Sequence, residues 1–145
     1  MTRRVVVAVI FCIAAVVGAC GTEAPAGDRV RARLGDTELE LLVAPDGGMR
    51  GLTDFDGADG MLFDQGREVQ PSSIRFVMDG VTIPLAIAWF DGTGDIVGLT
   101  RMEPCAGEDH PCPTYGPESA FRWAIEAPVG AFDGLTQGDR LEILD

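Results

Sequence analysis

The chain has 145 residues, with 23 acidic side chains against 11 basic ones, all arginine, and is a single domain once a targeting segment is set aside. Its formal charge of −12 repels phosphate backbones and anionic lipid, which speaks against nucleic-acid binding and electrostatic membrane docking. Nineteen glycines and nine prolines favour tight turns and strands over helix.

The first residues read as an address. Arg3 and Arg4 precede an apolar run from Val5 to Val17, too short for a membrane span but suited to a signal-peptide core. Val17-Gly18-Ala19-Cys20 resembles a bacterial lipobox, which implies cleavage before Cys20 and a lipid on its sulfur; more than one acyl chain gives a stable anchor. Residues 1–19 are thus expected to be removed, 20–28 (Cys20, then GTEAPAGD) to form a lipidated tether, and 29–145 to fold. Without Arg3 and Arg4, the 23 acids face nine arginines, a formal charge of −14. Cys12 falls in the discarded segment.

Val30–Leu34 and Thr37–Ala44 alternate around Gly35-Asp36 and read as a β-hairpin. Residues 45–54 suggest a short helix, because Met49, Leu52 and Phe55 share one helical face, although Gly47 and Gly48 oppose it. Thr53–Gly60, TDFDGADG, looks like a calcium loop. The EF-hand spacing fails: counting from Asp54, position 5 is Ala58, position 6 is Asp59 and position 12 is Gln65. A different calcium loop built on Asp54, Asp56 and Asp59 stands beside the plain reading, a polar turn leading into Met61-Leu62-Phe63, a short buried strand.

Ser73–Met78 reads as a strand with a hairpin signal at Asp79-Gly80. Thr82–Phe90 is almost wholly apolar and is expected to be a central strand with Pro84 near its start. Asp91–Gly94 is a turn and Asp95–Met102 the return strand. Ser119–Ala127 alternates again, Pro128–Leu135 suggests a brief helical turn carrying Phe132, and Leu141–Leu144 closes the sheet. About eight short strands and one or two short helices point to a mainly β domain, a small jelly-roll-like sandwich or barrel.

Cys105 and Cys112 lie in PCAGEDHPCP. In an exported domain such a pair is read as a disulfide. The alternative is a metal site of Cys105, His110 and Cys112, with Asp109 or Glu108 as fourth ligand. His110 is the only histidine in the chain, which leaves no evident Ser-His or Cys-His constellation, and Ser72, Ser73 and Ser119 lack a GxSxG setting. No catalytic residue is assigned, and no cofactor is expected unless the calcium reading holds.

The pieces Arg50-Gly51-Leu52, Gly60-Met61-Leu62-Phe63, Phe76-x-Met78, Ile83-Pro84-Leu85-x-Ile87, Glu126-Ala127-Pro128-x-Gly130 and Gly138-Asp139, in this order, resemble the bacterial and archaeal family known as domain of unknown function one hundred and ninety-two. The resemblance runs from about residue 30 to the C-terminus. It implies a small, mainly β, jelly-roll-like domain, often exported, with no established activity; the Pro-Cys…Cys-Pro loop also occurs in the family. The family's central run reads F-W-M-K-N-T-x-I-P-L-D-I. Here its aromatic, cation, amide, hydroxyl and acid are Val77, Asp79, Gly80, Val81 and Ala86. The apolar positions are kept and the polar ones are not, so the fold is the firmer inheritance.

The function expected from all this is a lipid-anchored, extracytoplasmic binding or accessory module that meets a cell-envelope component or protein partner. Trp89, Phe90, Tyr115 and Trp123 offer aromatic area for a surface patch, although the spacing of the tryptophans also suits a core. The alternatives are a hydrolase of envelope glycans using Asp79 with Asp91, or Glu118 with Glu126, and a calcium-binding structural protein.

Overall fold

A computed structural model describes residues 27–45, 55–106, 110–136 and 138–145. Cys20, Arg50 and Asp54, and most of the helix expected at 45–54, lie outside the described residues. The described residues form nine strands: β1 (Arg29–Leu34), β2 (Thr37–Val43), β3 (Gly60–Val69), β4 (Phe76–Val77), β5 (Leu85–Phe90), β6 (Ile96–Met102), β7 (Thr114–Tyr115), β8 (Phe121–Pro128) and β9 (Leu141–Ile143). Seven form one sheet in the order β6-β5-β8-β3-β2-β1-β9, and β4 pairs with β7 in a small second sheet. Within the large sheet only β2 and β3 run parallel.

The large sheet curls until its edges meet. Asp95, just before β6, bridges Arg140, just before β9. The Leu141 N–H donates to the Gly94 carbonyl at 2.9 Å, and the Arg140 guanidinium pairs with Asp95 at 2.6 Å. Gly94 is required there: its φ is +90°, and a Cβ would run into the Leu141 carbonyl oxygen.

The sheet is covered on both faces. On the concave face, side chains from all seven strands meet in one cluster: Ala32, Leu34, Leu41, Leu62, Ala86, Ala88, Phe90, Ile125, Ala127 and Leu141, with half-buried Ile96, plugged by Phe132. The many alanines follow from geometry, since a tightly curled sheet leaves little room inside. The convex face carries Met61, Leu85, Ile87, Trp89, Met102, Phe121 and Ala124, under Phe76, Met78, Val81 and Cys105 from the segments before β5 and after β6. Strand β5 shows why the apolar run at 82–90 indicated a central strand: all six of its residues are buried, Leu85, Ile87 and Trp89 on one face and Ala86, Ala88 and Phe90 on the other. It begins after Pro84, whose missing N–H would have left a gap in the ladder.

On β1 the alternation RVRARL puts Val30, Ala32 and Leu34 inside. Arg29, Arg31 and Arg33 face outward among acids of β2 and of the C-terminal segment: Arg29 with Glu40, Arg31 with Asp145, and Arg33 with Glu38 and Glu142. Such exposed pairs fix strand register more than they add stability.

Several sequence expectations are corrected. Strand β3 is ten residues long rather than a short buried piece; its second half is mostly exposed and has no apolar pattern to reveal it. The strand expected at 73–78 shrinks to Phe76–Val77 and pairs with Thr114–Tyr115 rather than forming a hairpin with β5. The Asp79-Gly80 turn instead lies against Cys105. Among the described residues there is no helix. The segment after Pro128 is a run of turns, with Ala131 N–H donating to Pro128, Asp133 to Gly130 and Leu135 to Phe132, because Pro128, Gly130 and Gly134 break helical continuity.

Candidate functional site

Three features stand out once the sheet is in place. The first is Glu126. In Trp123-Ala124-Ile125-Glu126-Ala127 the alternation sends Ile125 and Ala127 to the concave face and Glu126 to the convex one. Its neighbours in register are Met61 on β3 and Ile87 on β5, both buried. Glu126 is the one buried charged residue among the described residues, at 9 % exposure, and no described residue donates a hydrogen bond to it. Burial among apolar groups pushes its carboxyl up to about 7. Close approach of β3 is built around it: a Cβ on Gly60 would stand 2.5 Å from the Glu126 carbonyl oxygen.

The second is the cysteine loop. Cys105 and Cys112 are bonded to each other, as the sequence indicated. His110 lies on the loop with Nδ1 3.7 Å from Cys112 Sγ and Nε2 3.9 Å from Asp79 Oδ1. Sequence reasoning paired His110 with its neighbours Asp109 and Glu108, which lie outside the described residues. The carboxylate that meets it is Asp79, thirty-one positions away, carried there by the Asp79–Cys105 bridge.

The third is an open cleft of about 380 Å³ at the mouth of the concave face, lined by Leu39, Leu41, Ile125, Ala127, Ala131 and Phe132, with Ala58, Asp59 and Pro128 at its edge. Its volume falls in the range of small-ligand sites.

The model of the family described as DUF192, "Uncharacterized ACR", matches residues 26–143. The chain belongs to the DUF192 family. No curated protein matches it. Among solved structures it is similar to a putative transcription regulator from Sinorhizobium meliloti 1021, at 21 % identity and a TM-score of 0.64, over 81 % of this chain and 95 % of that one. It is also similar to a protein of unknown function from Novosphingobium aromaticivorans DSM 12444, at 15 % identity and a TM-score of 0.64, over 83 % of this chain and 89 % of that one. At these identities the likeness is one of fold.

The DUF192 motif residues among the described residues fall into structural roles, Glu126 excepted. Phe76 is the hub of an aromatic cluster, 5.2 Å from Phe63, 5.9 Å from Trp89 and 6.2 Å from Phe121 between ring centres. Met61 and Met78 are buried at 1 % exposure. Asp139 accepts hydrogen bonds from the Thr136 N–H at 2.7 Å and hydroxyl at 2.9 Å; the backbone bond first, then the hydroxyl, hold its carboxyl below the usual range. Pro84 and Pro128 bound strands. The altered positions of the central run also have places: Val77 is 48 % exposed, and Ala86 sits on the concave face beside Ala127.

Two of the three candidate calcium residues lie among the described residues. Asp59 accepts the Glu40 N–H at 2.8 Å, and Asp56, at φ +51°, reaches the Arg29 guanidinium at 3.4 Å. Of the candidate hydrolase residues, Asp79 bridges Cys105, Asp91 follows the end of β5, Glu118 neighbours Pro117, which stands over Gly98, and Glu126 is buried on β8. Asp91 is a turn residue: burial alone would raise its carboxyl, but the Thr93 hydroxyl and N–H, both at 2.8 Å, and the Asp95 N–H at 3.0 Å lower it. Of the aromatic patch, Trp89 and Phe90 are core, and Trp123 and Tyr115 are half-buried; the Tyr115 hydroxyl accepts the Glu103 N–H at 3.1 Å.

Proposed function

We propose that this DUF192 domain is a non-catalytic binding module of the bacterial cell envelope, facing outward from the membrane on a lipid attached to Cys20. The observation that supports the non-catalytic part is the setting of His110, the one histidine of the chain: it faces Asp79 and the disulfide-bonded Cys112 rather than a hydroxyl or thiol nucleophile. The lipobox-like Val17-Gly18-Ala19-Cys20 and the Cys105–Cys112 disulfide support an exported location.

The cleft above Ile125 and Phe132 is where this reading puts the ligand. Its apolar wall suits one face of a sugar ring or an aliphatic side chain, and the Asp59 carboxylate at its edge suits a hydroxyl or ammonium group. Soluble peptidoglycan fragments carry both. The test is thermal unfolding of the full chain with and without such fragments. A ligand at about 100 times its dissociation constant adds about 2.7 kcal/mol, a rise of several degrees. Ala131→Trp fills the cleft from an exposed position and is expected to abolish the rise without lowering the unliganded melting temperature. No rise with the native chain would count against the ligand class.

A further inference from the structure

The geometry points to a second state of the cysteine loop: when its disulfide is reduced, Cys105, Cys112, His110 and Asp79 hold a zinc ion. The ligand atoms of Asp79, His110 and Cys112 already lie within 4.8 Å of one another, and Cys105 Sγ is bonded to Cys112 Sγ. A tetrahedral zinc with ordinary Zn–S and Zn–N bonds places sulfur and nitrogen about 3.6 Å apart. Here His110 Nδ1 is 3.7 Å from Cys112 Sγ. Asp79 Oδ1 lies 3.9 Å from the other ring nitrogen, Nε2, and the Asp79 carboxylate is within 4.8 Å of Cys112 Sγ, near enough to complete a tetrahedral set as an oxygen ligand.

Two thiolates and one imidazole, with a single carboxylate, select zinc over calcium or magnesium. His110 and Cys112 are exposed or partly so, so an ion can reach them.

The two states exclude each other. A dithiol reductant gives two electrons and two protons to the disulfide; the Cys105–Cys112 S–S bond breaks, two thiols form, and the reductant closes to its own disulfide. Zinc then displaces both thiol protons, which pass to solvent. In the oxidised chain the sulfurs are spent on each other and the site is closed. This inference is independent of the ligand assigned to the cleft.

The test uses the full chain in detergent, reduced with a phosphine so that no competing thiol is present, and titrated with cobalt(II). The expected result is one equivalent of cobalt with a thiolate-to-cobalt charge-transfer band and the visible bands of a tetrahedral site, displaced by zinc and absent from the oxidised chain. Cys112→Ser should lose the charge-transfer band, which assigns it to this loop rather than to Cys12 or Cys20. Asp79→Asn and His110→Ala should each weaken zinc by at least about 10-fold, with circular dichroism showing the strands retained. No band in the reduced chain, a band that survives Cys112→Ser, or zinc affinity unchanged from the native chain in Asp79→Asn and His110→Ala would overturn the assignment.

Discussion

Glu126→Gln gives the sharpest energetic prediction. The carboxyl is moved from 4.5 to about 7 by burial beside Met61 and Ile87, and that difference corresponds to about 3 kcal/mol between its protonation states. Below pH 4.5 both folded and unfolded chains hold the proton, and Glu126 costs nothing. Between 4.5 and about 7 the unfolded chain releases it while the folded chain keeps it, so stability falls as pH rises. Above 7 the cost is complete. Gln cannot ionise, so the variant should gain about 3 kcal/mol on the native chain between pH 4.5 and pH 8, roughly 10 °C in melting temperature for a domain of this size. Acids whose values are lowered, Asp91, Asp139 and Asp145, lose stability as pH falls; they are common to both proteins and cancel in the comparison. The assay is urea unfolding followed by tryptophan fluorescence at both pH values with the disulfide oxidised. A difference that changes by less than 1 kcal/mol between them would refute burial of the carboxyl.

Other outcomes follow from the same contacts. Gly60→Ala should destabilise by about 1–3 kcal/mol, because its Cβ must push the Glu126 carbonyl away; denaturant midpoints check it. Gly94→Ala should open the barrel seam, seen as faster hydrogen exchange at the Leu141 amide, which bonds to Gly94. Calcium should leave the melting temperature unchanged, and so should Asp56→Asn with Asp59→Asn in its presence. Reducing the disulfide without metal should cost about 2.5 kcal/mol in the chain-entropy account of so short a loop, read from unfolding with and without a phosphine. Cys20→Ser should move the protein from the membrane to the soluble fraction of the cell.

The parts of the fold that were legible are those where side-chain pattern and burial coincide. Strand β5 announced itself because every residue from Leu85 to Phe90 is buried, and the β1–β2 hairpin because its alternation ends at Gly35, which needs φ +58°. Where burial is one-sided and partial the signal fades. Beyond Asp64, which pairs with Trp123 and meets Arg122 at 3.4 Å, β3 passes through a register shift before Val69 pairs with Phe121, and nothing apolar marks the residues between. The spacing around Phe132 imitated a helix because a plug that closes a barrel mouth also has one apolar side.

The candidate site divides in the same way. The Cys105–Cys112 bond was readable from local sequence, since its two ends are seven residues apart. The meeting of Asp79 with His110 was not, because it depends on the tertiary bridge to Cys105. Glu126 was visible as a motif residue, but its unusual state depends on both sheet faces being covered, which no stretch of β8 reveals.

The most direct measurement of the central claim mixes the full chain with soluble peptidoglycan fragments and records, in one sample, the heat of binding and the masses of the fragments. A binding module gives a saturable heat that Ala131→Trp removes, and the masses do not change. Shortened fragments, with shortening lost in Glu126→Gln, would contradict it and make this domain an enzyme.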